Sequence, residues 1–386
     1  MKTLIYNGKV ITSNKIIENG SIAFSDGLIT AVGTCPPDKY DMTINAEGNY
    51  ISPGFVDIHC HGGGGSDFMD GNEYAFDTIV KTHSHFGTTS LLATSLSGSN
   101  DELYNFFRAY KSFTNKQTSG CRLLGIHLEG PYINISQSGA QDPKYIKNPE
   151  KSEYESILNS SFGLIKRWTA APELPGAEEF GRFLTSHNIL PSIGHTEATY
   201  QEVQKAYNNG FSLMTHFYSS MSTITRSNGF RIPGAIESGY IIENMNVELI
   251  SDGCHLPPEM LNMVYKIKGP DRIALITDAM RCAGSNAKES ILGSSDKGQR
   301  VIIEDGVAKM PDRKSFAGSI ATSDRLVRTA YKKAKIPLHD AVKMASETPA
   351  GFIGLKRSLK PGLAADIIIF DDLINVSKVF INGIEQ

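Results

Sequence analysis

Eight apolar runs of strand length, at 55–61, 89–95, 123–129, 165–171, 190–195, 213–217, 247–252 and 273–278, dominate the middle of this chain. Most are separated by segments whose apolar residues repeat with a helical period, at 73–86, 102–113, 152–162, 177–187, 199–209 and 258–266. A strand that is apolar along its whole length is buried on both faces, and a helix between two such strands makes them parallel neighbours in one sheet. Eight units of this kind predict a closed (β/α)8 barrel of TIM type rather than an open doubly wound sheet. No Gly-x-Gly-x-x-Gly follows the early strands, so the pattern gives no reason to expect a dinucleotide.

The chain ends have a different texture. Short strands are expected at 4–11, 21–24 and 28–32, the last two joined by a tight turn at Asp26-Gly27, and again at 366–370 and 376–384 around Asp371-Asp372. None of these pieces buries a core alone. The expectation is an α/β protein in which 54–355 form the barrel, while 1–53 and 356–386 together build a small β-sandwich. A hairpin at 298–311, turning at Asp305-Gly306, is expected to join that sandwich.

Composition narrows the function classes. A formal net charge of −3 and the lack of a basic stripe argue against a nucleic-acid partner. The five cysteines are scattered and show no Cys-x-x-Cys spacing, which speaks against a disulfide framework or a zinc knuckle and for a reducing cytoplasm. The polar N-terminus does not read as a signal peptide, and no apolar run reaches membrane-spanning length.

The chemistry is expected where the strands end. His59 and His61, two residues apart on one strand, point to the same face and can reach one ion, while Cys60 points away. The glycine run Gly62–Gly65 then lets backbone approach a ligand closely. Later strands end in His127 and Glu129, His195, His216, Asp252 with His255, and Asp278. In barrels of this type the C-terminal strand ends converge on one face, and His, Glu and Asp suit zinc, iron or manganese. One such residue is commonly a satisfied polar cap; six strand ends carrying them together point to a site. His83, His85, His187 and His339 lie in or beside helical segments and read as structural, as does Asp67 as a turn or cap residue. His127 is read as packing or as support for the site. Cys254 has no base paired with it and does not read as a nucleophile.

These residues sit in motifs that carry a resemblance. Pro-Gly-Phe-Val-Asp-x-His-x-His-Gly at 53–62, His-Leu-Glu-Gly-Pro-Tyr at 127–132, Gly-His-Thr at 194–196, Thr-His-Phe at 215–217, Asp-Gly-x-His at 252–255 and Thr-Asp-Ala at 277–279 resemble the amidohydrolase superfamily. In that order they are similar to N-acetylglucosamine-6-phosphate deacetylases, and the likeness extends to Phe-Ala-Gly-Ser at 316–319 and Pro-Gly-Leu-Ala-Ala-Asp-Ile at 361–367. The resemblance implies that Glu129, His195 and His216 hold a main divalent metal, with His59 and His61 offering a second site bridged by Glu129. One or two ions per subunit are expected, zinc first, with iron or manganese as alternatives. It implies hydrolysis of the N-acetyl group of N-acetylglucosamine 6-phosphate, with Asp278 as general base toward water and then as acid toward the leaving amine. Ala140, Gln141, Ser219, Ser220, Arg231, His255, Phe316, Ala317 and Gly318 are the implied substrate contacts. A homodimer is implied as well, with the phosphate arginine coming from either subunit.

Two departures bear on substrate choice. Several relatives carry Gly-Ala-His where this chain has Gly139-Ala140-Gln141, and Gln141 offers hydrogen bonds but neither charge nor a titrating proton. Relatives commonly show Phe-Asn-Ala-Met or Phe-Asn-Gly-Met where this chain has Phe217-Tyr218-Ser219-Ser220-Met221. Residues 227–230 look like a small insertion, which makes Arg226 a second candidate for the phosphate beside Arg231. The alternative readings are deacetylation of another acylated amino sugar, such as N-acetylgalactosamine 6-phosphate, and a non-catalytic sugar-phosphate sensor.

Overall fold

The computed structural model describes residues 1–35 and 39–386. Eight parallel strands form one sheet in sequential order: β1 (Phe55–Cys60), β2 (Thr88–Thr94), β3 (Arg122–Glu129), β4 (Ile165–Ala170), β5 (Leu190–Ile193), β6 (Leu213–Met214), β7 (Asn246–Ile250) and β8 (Ile273–Ile276). β1, β2 and β8 are buried at every residue, as strands covered on both faces must be. The seam between β8 and β1 closes just past their ends. There the Asp278 N–H donates to the His59 carbonyl at 2.9 Å, and the His61 and Gly62 N–H groups both donate to the Ala279 carbonyl at 2.9 Å. Barrel closure and two site-bearing strand ends are therefore the same piece of backbone.

Helices at Glu73–His85, Asn100–Thr114, Lys151–Ser160, Ala177–Ser186, Tyr200–Asn208 and Pro258–Lys268 fall where the helical period placed them. Their starts are chemically marked. Ser99 accepts from the Glu102 N–H while the Glu102 carboxylate accepts from the Ser99 N–H, and the Glu202 carboxylate likewise accepts the Thr199 N–H at 2.7 Å. The apolar faces pack on the barrel through Phe76, Phe106 and Phe180, in one cluster with Trp168 of β4, all fully buried. Three further helices, Ser323–Arg328, Leu338–Met344 and Glu347–Phe352, follow the last barrel strand. They cover the seam, where the Val56 N–H donates to the Ala345 carbonyl at 2.8 Å.

Both chain ends meet in one eight-stranded sheet, from Lys2–Ile11, Ile16–Ser25, Leu28–Gly33, Met42–Asn45 and Tyr50–Pro53 together with Ile367–Phe370, Val376–Ile381 and Ile384–Glu385. It curls back on itself, bridging Leu28 to Ala364, around a core that includes Ile5, Val10, Ile22, Phe24, Ile367, Ile369 and Phe380. The hairpin expected at 298–311 lies elsewhere. Its strands, Gln299–Glu304 and Val307–Lys309, pair with Glu289–Leu292 in a separate three-stranded sheet. The reason is apolar coverage: Leu292, Val301 and Ala308 pack on Met280 and Ala317, against Leu96 and Ala140, beside the C-terminal mouth of the barrel. Among the described residues no helix is long and apolar enough to cross a membrane.

Candidate active site

The strand ends bring six side chains to one point. Glu129, at the end of β3, is its centre: Oε1 lies 3.0 Å from His216 Nε2, 3.3 Å from His195 Nε2 and 3.4 Å from His59 Nε2, and Oε2 lies 3.4 Å from His61 Nε2. The imidazoles also face one another, His59 Nε2 to His61 Nε2 and His195 Nε2 to His216 Nε2 both at 3.2 Å. Asp278 Oδ1 completes the group at 3.4 Å from His59 Nε2 and 3.2 Å from His61 Nε2. Three of these residues leave their strands in the left-handed region, His195 at φ 50°, His216 at φ 31° and Asp278 at φ 46°. Such backbone is unfavourable for non-glycine residues and recurs where side chains are aimed for a task. It also explains why β6 is only two residues long, since the chain turns before His216.

The donor set suits divalent cations. Two overlapping groups, His59–His61–Glu129 and Glu129–His195–His216, have ligand atoms mutually within 4.8 Å, and all are buried. The outward nitrogens set the tautomers. His195 Nδ1–H donates to the Gln137 carbonyl at 2.7 Å, and His59 Nδ1 faces Glu248 Oε2 at 3.4 Å. Both rings then present the Nε2 lone pair to the centre, as metal-binding imidazoles do. Paired lone pairs 3.2 Å apart around a carboxylate repel unless a cation or a proton lies between them. Burial opposes ionisation of Glu129, but His59, His195 and His216 outweigh it and hold the carboxyl well below its usual range. Burial likewise opposes a charge on His61, yet Asp278 and Glu129 raise it to about 9. Burial also works against the Asp278 carboxylate, and His59 and His61 pull it down. The carboxylates are thus anionic at neutral pH, ready for a cation or for a proton in transit.

A charged layer that the sequence reading did not single out supports this centre from below. Arg167 on β4 and Glu248 on β7, both fully buried, form an ion pair in the barrel interior through Arg167 Nη1 and Glu248 Oε1, with a second contact of 2.9 Å from Nη2 to Oε2. Glu248 Oε2 also accepts the His216 N–H at 3.1 Å and faces His59, tying both histidine pairs to one carboxylate. Burial opposes ionisation of Glu248, and Arg167 and His59 more than offset it. The available signal was Arg167 and Glu248 standing among Ile, Trp, Ala, Val and Leu in two strand-length runs.

A cavity of about 240 Å³ opens above the cluster. Of the expected substrate contacts, Ala140, Gln141, Ser219, Ser220, His255, Phe316 and Gly318 line it, together with Leu96, Leu292 and Ser315. His255 is held by Asp252, Nδ1 to Oδ2 at 2.9 Å, and packs edge-on against Phe316 with ring centroids 4.8 Å apart. Ala317 is fully buried in the apolar cluster under the three-stranded sheet, so its side chain faces packing rather than the cavity. Arg226 and Arg231 are cross-strand neighbours on the exposed hairpin Thr225–Ser227/Phe230–Ile232, and neither lines the cavity. The glycine run serves packing too: a Cβ on Gly62 would lie 2.3 Å from the Ser66 carbonyl oxygen.

His127 bonds Thr169 Oγ1 at 2.8 Å and packs edge-on against His59, with ring centroids 4.6 Å apart. Asp67 accepts the Met69 N–H at 2.9 Å as a cap. His83 contacts the Gly62 carbonyl at 2.9 Å and Cys60 Sγ at 3.2 Å. With Asp57 these two residues form a third buried group of potential ligands, but Asp57 is already engaged by the Thr277 hydroxyl and the His59 N–H.

The amidohydrolase family model matches residues 50–384. An N-acetylglucosamine-6-phosphate deacetylase of Bacillus subtilis (strain 168) is 32% identical over 374 residues, covering 95% of this chain and 92% of the relative. An N-acetylgalactosamine-6-phosphate deacetylase of Escherichia coli O157:H7 is 27% identical over 378 residues, covering 97% of each. Among solved structures, a mutant N-acetyl-D-glucosamine-6-phosphate deacetylase from Mycobacterium smegmatis, in complex with N-acetyl-D-glucosamine-6-phosphate, superposes with a TM-score of 0.91 at 28% identity. That likeness covers 100% of this chain and 99% of the other. Because the match runs through all eight barrel strands and on into the last strands of the chain-end sheet, the chain belongs to the amidohydrolase family of metal-dependent hydrolases.

Proposed function

We propose that this enzyme hydrolyses the N-acetyl group of N-acetylglucosamine 6-phosphate, giving acetate and glucosamine 6-phosphate. The observation that carries the reading is the convergence of four histidines, Glu129 and Asp278 at the floor of a sugar-sized cavity. The names and bound ligand of the similar proteins support the substrate class. Glu129, His195 and His216 would hold one divalent cation and His59 with His61 a second, zinc being the first expectation and iron or manganese the alternatives. A cation held there polarises the acetyl carbonyl and lowers the pKa of water toward about 7.

The protein's own groups do the rest. Asp278, kept ionised beside His59 and His61, takes a proton from the attacking water. As the new C–O bond is completed and the C–N bond breaks, Asp278 returns that proton to the departing amine nitrogen. His255, fixed by Asp252, and the serines at 219 and 220 supply polar contacts to the sugar, while Phe316 offers an apolar face. The phosphate is assigned to Arg231 or Arg226. Because both stand on an exposed hairpin whose Phe230 is 78% exposed, the reading is a homodimer in which that hairpin reaches the neighbouring subunit's cavity. A cytoplasmic enzyme without nucleic-acid or membrane partners fits the composition. The galacto epimer is the second reading, favoured by the similarity to an N-acetylgalactosamine-6-phosphate deacetylase and by the departures at Ser219 and Ser220.

The test is acetate release by the metal-replete enzyme from N-acetylglucosamine 6-phosphate, its galacto epimer and unphosphorylated N-acetylglucosamine. Preference for the first supports the proposal, and preference for the epimer or indifference to phosphate overturns the substrate. Asp278→Asn should abolish turnover while retaining sugar-phosphate binding. A chain that binds the sugar phosphate but releases no acetate, with or without Asp278, is a sensor instead.

A further inference from the structure

We infer that Gln141 acts through Glu129, as a positioning residue whose side-chain amide fixes which carboxylate oxygen faces His61 and which faces His59, His195 and His216. Gln141 Oε1 accepts the Ser97 N–H at 2.8 Å, and Gln141 Nε2 donates to Glu129 Oε2 at 2.6 Å. These two bonds settle the amide's orientation, because a backbone N–H needs an oxygen opposite it and the carboxylate needs a donor. The side chain is nearly buried, at 5% exposure, so little of it is left to face a sugar.

The loop that carries it is held firmly. The Gln141 N–H donates to the Ser138 carbonyl at 2.9 Å, and Gln299 of the three-stranded sheet donates to the Ala140 carbonyl at 2.8 Å. The consequence falls on the shared carboxylate. Glu129 Oε1 meets His216, His195 and His59, whereas Oε2 meets only His61 and the Gln141 donor. A charge-assisted hydrogen bond on Oε2 stops the carboxylate from rotating and exchanging its oxygens between His61 and the other three histidines. Partners of this kind orient metal ligands, and their loss lowers metal affinity.

The inference rests on the reading of the five-ligand cluster as a metal centre and is independent of which sugar is hydrolysed. The experiment compares the wild type with Gln141→Met, which keeps the length and removes the donor, and with Gln141→His, whose neutral imidazole accepts from Ser97 and donates to Glu129. Zinc affinity is read by competition with a chelator, and ligand geometry by the visible spectrum of the cobalt-substituted proteins. Gln141→Met should lose about tenfold or more in zinc affinity and shift the cobalt spectrum, with KM for the sugar phosphate little changed, and Gln141→His should recover most of the loss. Gln141→Ala reads the same loss if the methionine disturbs the loop, and circular dichroism of the metal-free proteins checks that all are folded. Unchanged zinc affinity and an unchanged cobalt spectrum in both donor-free variants would overturn the inference, and a raised KM beside them would return Gln141 to the sugar. Should the wild type release no acetate while the donor-free variants still lose zinc, the substrate reading falls and this one stands.

Discussion

Glu248→Gln tests whether the buried ion pair beneath the candidate metal ligands holds the barrel together. The substitution keeps shape and most hydrogen bonds. Arg167 retains Ser192 Oγ at 2.8 Å, Thr215 Oγ1 at 2.8 Å and the Ile58 carbonyl at 3.2 Å, and a glutamine oxygen still accepts from it. What disappears is the negative charge opposite a guanidinium whose side chain is 0% exposed. Breaking a buried pair by removing one partner costs about 3–5 kcal/mol, and a neutral isostere belongs at the lower end, about 3 kcal/mol. With an unfolding entropy of about 2.1 cal/mol/K per residue, the whole chain loses about 0.8 kcal/mol per degree at its midpoint, so Tm should fall by about 4 °C. The assay is thermal unfolding of metal-free protein, so that ligand linkage does not enter the comparison. The double variant Arg167→Met/Glu248→Leu removes both charges and should be more stable than either single charge deletion, because the cost lies in the uncompensated charge rather than in the lost attraction. A Tm for Glu248→Gln within a degree of wild type, or a double variant as damaged as the two single losses added together, would refute the reasoning.

Two other perturbations separate parts of the site and scaffold. His59→Ala should lower the zinc or manganese content per subunit relative to wild type, while chelation should abolish acetate release from both proteins; equal metal content in the two would remove the second site from the proposal. Asp70→Asn addresses pH: Asp70 accepts from Arg281 at 2.9 and 2.6 Å and from the Asp67 and Ser295 N–H groups. Burial works against its ionisation, but Arg281 and the backbone donors outweigh it, so its folded pKa lies below the unfolded value. Its stabilisation is therefore complete above the unfolded pKa near 4 and is lost as pH falls through the folded one. The variant should unfold earlier than wild type at pH 7, by about 1–2 kcal/mol after allowance for partial solvent exposure. The gap should close in acid, and a gap that widens below pH 4 would contradict the assignment.

The barrel was legible because its physics is local and repetitive. Continuous apolar strands such as 55–60 and 273–276 must be covered on both faces, and the helical segments between them leave few ways to do it. The metal-ligand candidates were legible for the same reason, since His59, His61, Glu129, His195, His216 and Asp278 all sit at or just beyond strand ends, and a parallel barrel sends those ends to one face. The placement of the hairpin at 299–309 was not legible, because a hairpin's strands specify each other but not the surface that receives their apolar side. Of the helices after residue 322 the sequence showed one, beside His339, and the others were missed, being short and split by turns.

By itself, then, the sequence determined the alternation of strand and helix, the paired chain ends and the residue types gathered at the barrel mouth. Tertiary structure decided what those residues touch. It joined Arg167 to Glu248 across 81 positions of chain, turned the Gln141 amide onto Glu129 and Ser97, and set both candidate phosphate arginines on an exposed hairpin away from the cavity. The physical reason is that periodicity and propensity act over a few residues. Hydrogen bonds and ion pairs of buried polar groups depend on whichever distant partner the closed barrel brings within reach, and burial makes finding that partner obligatory.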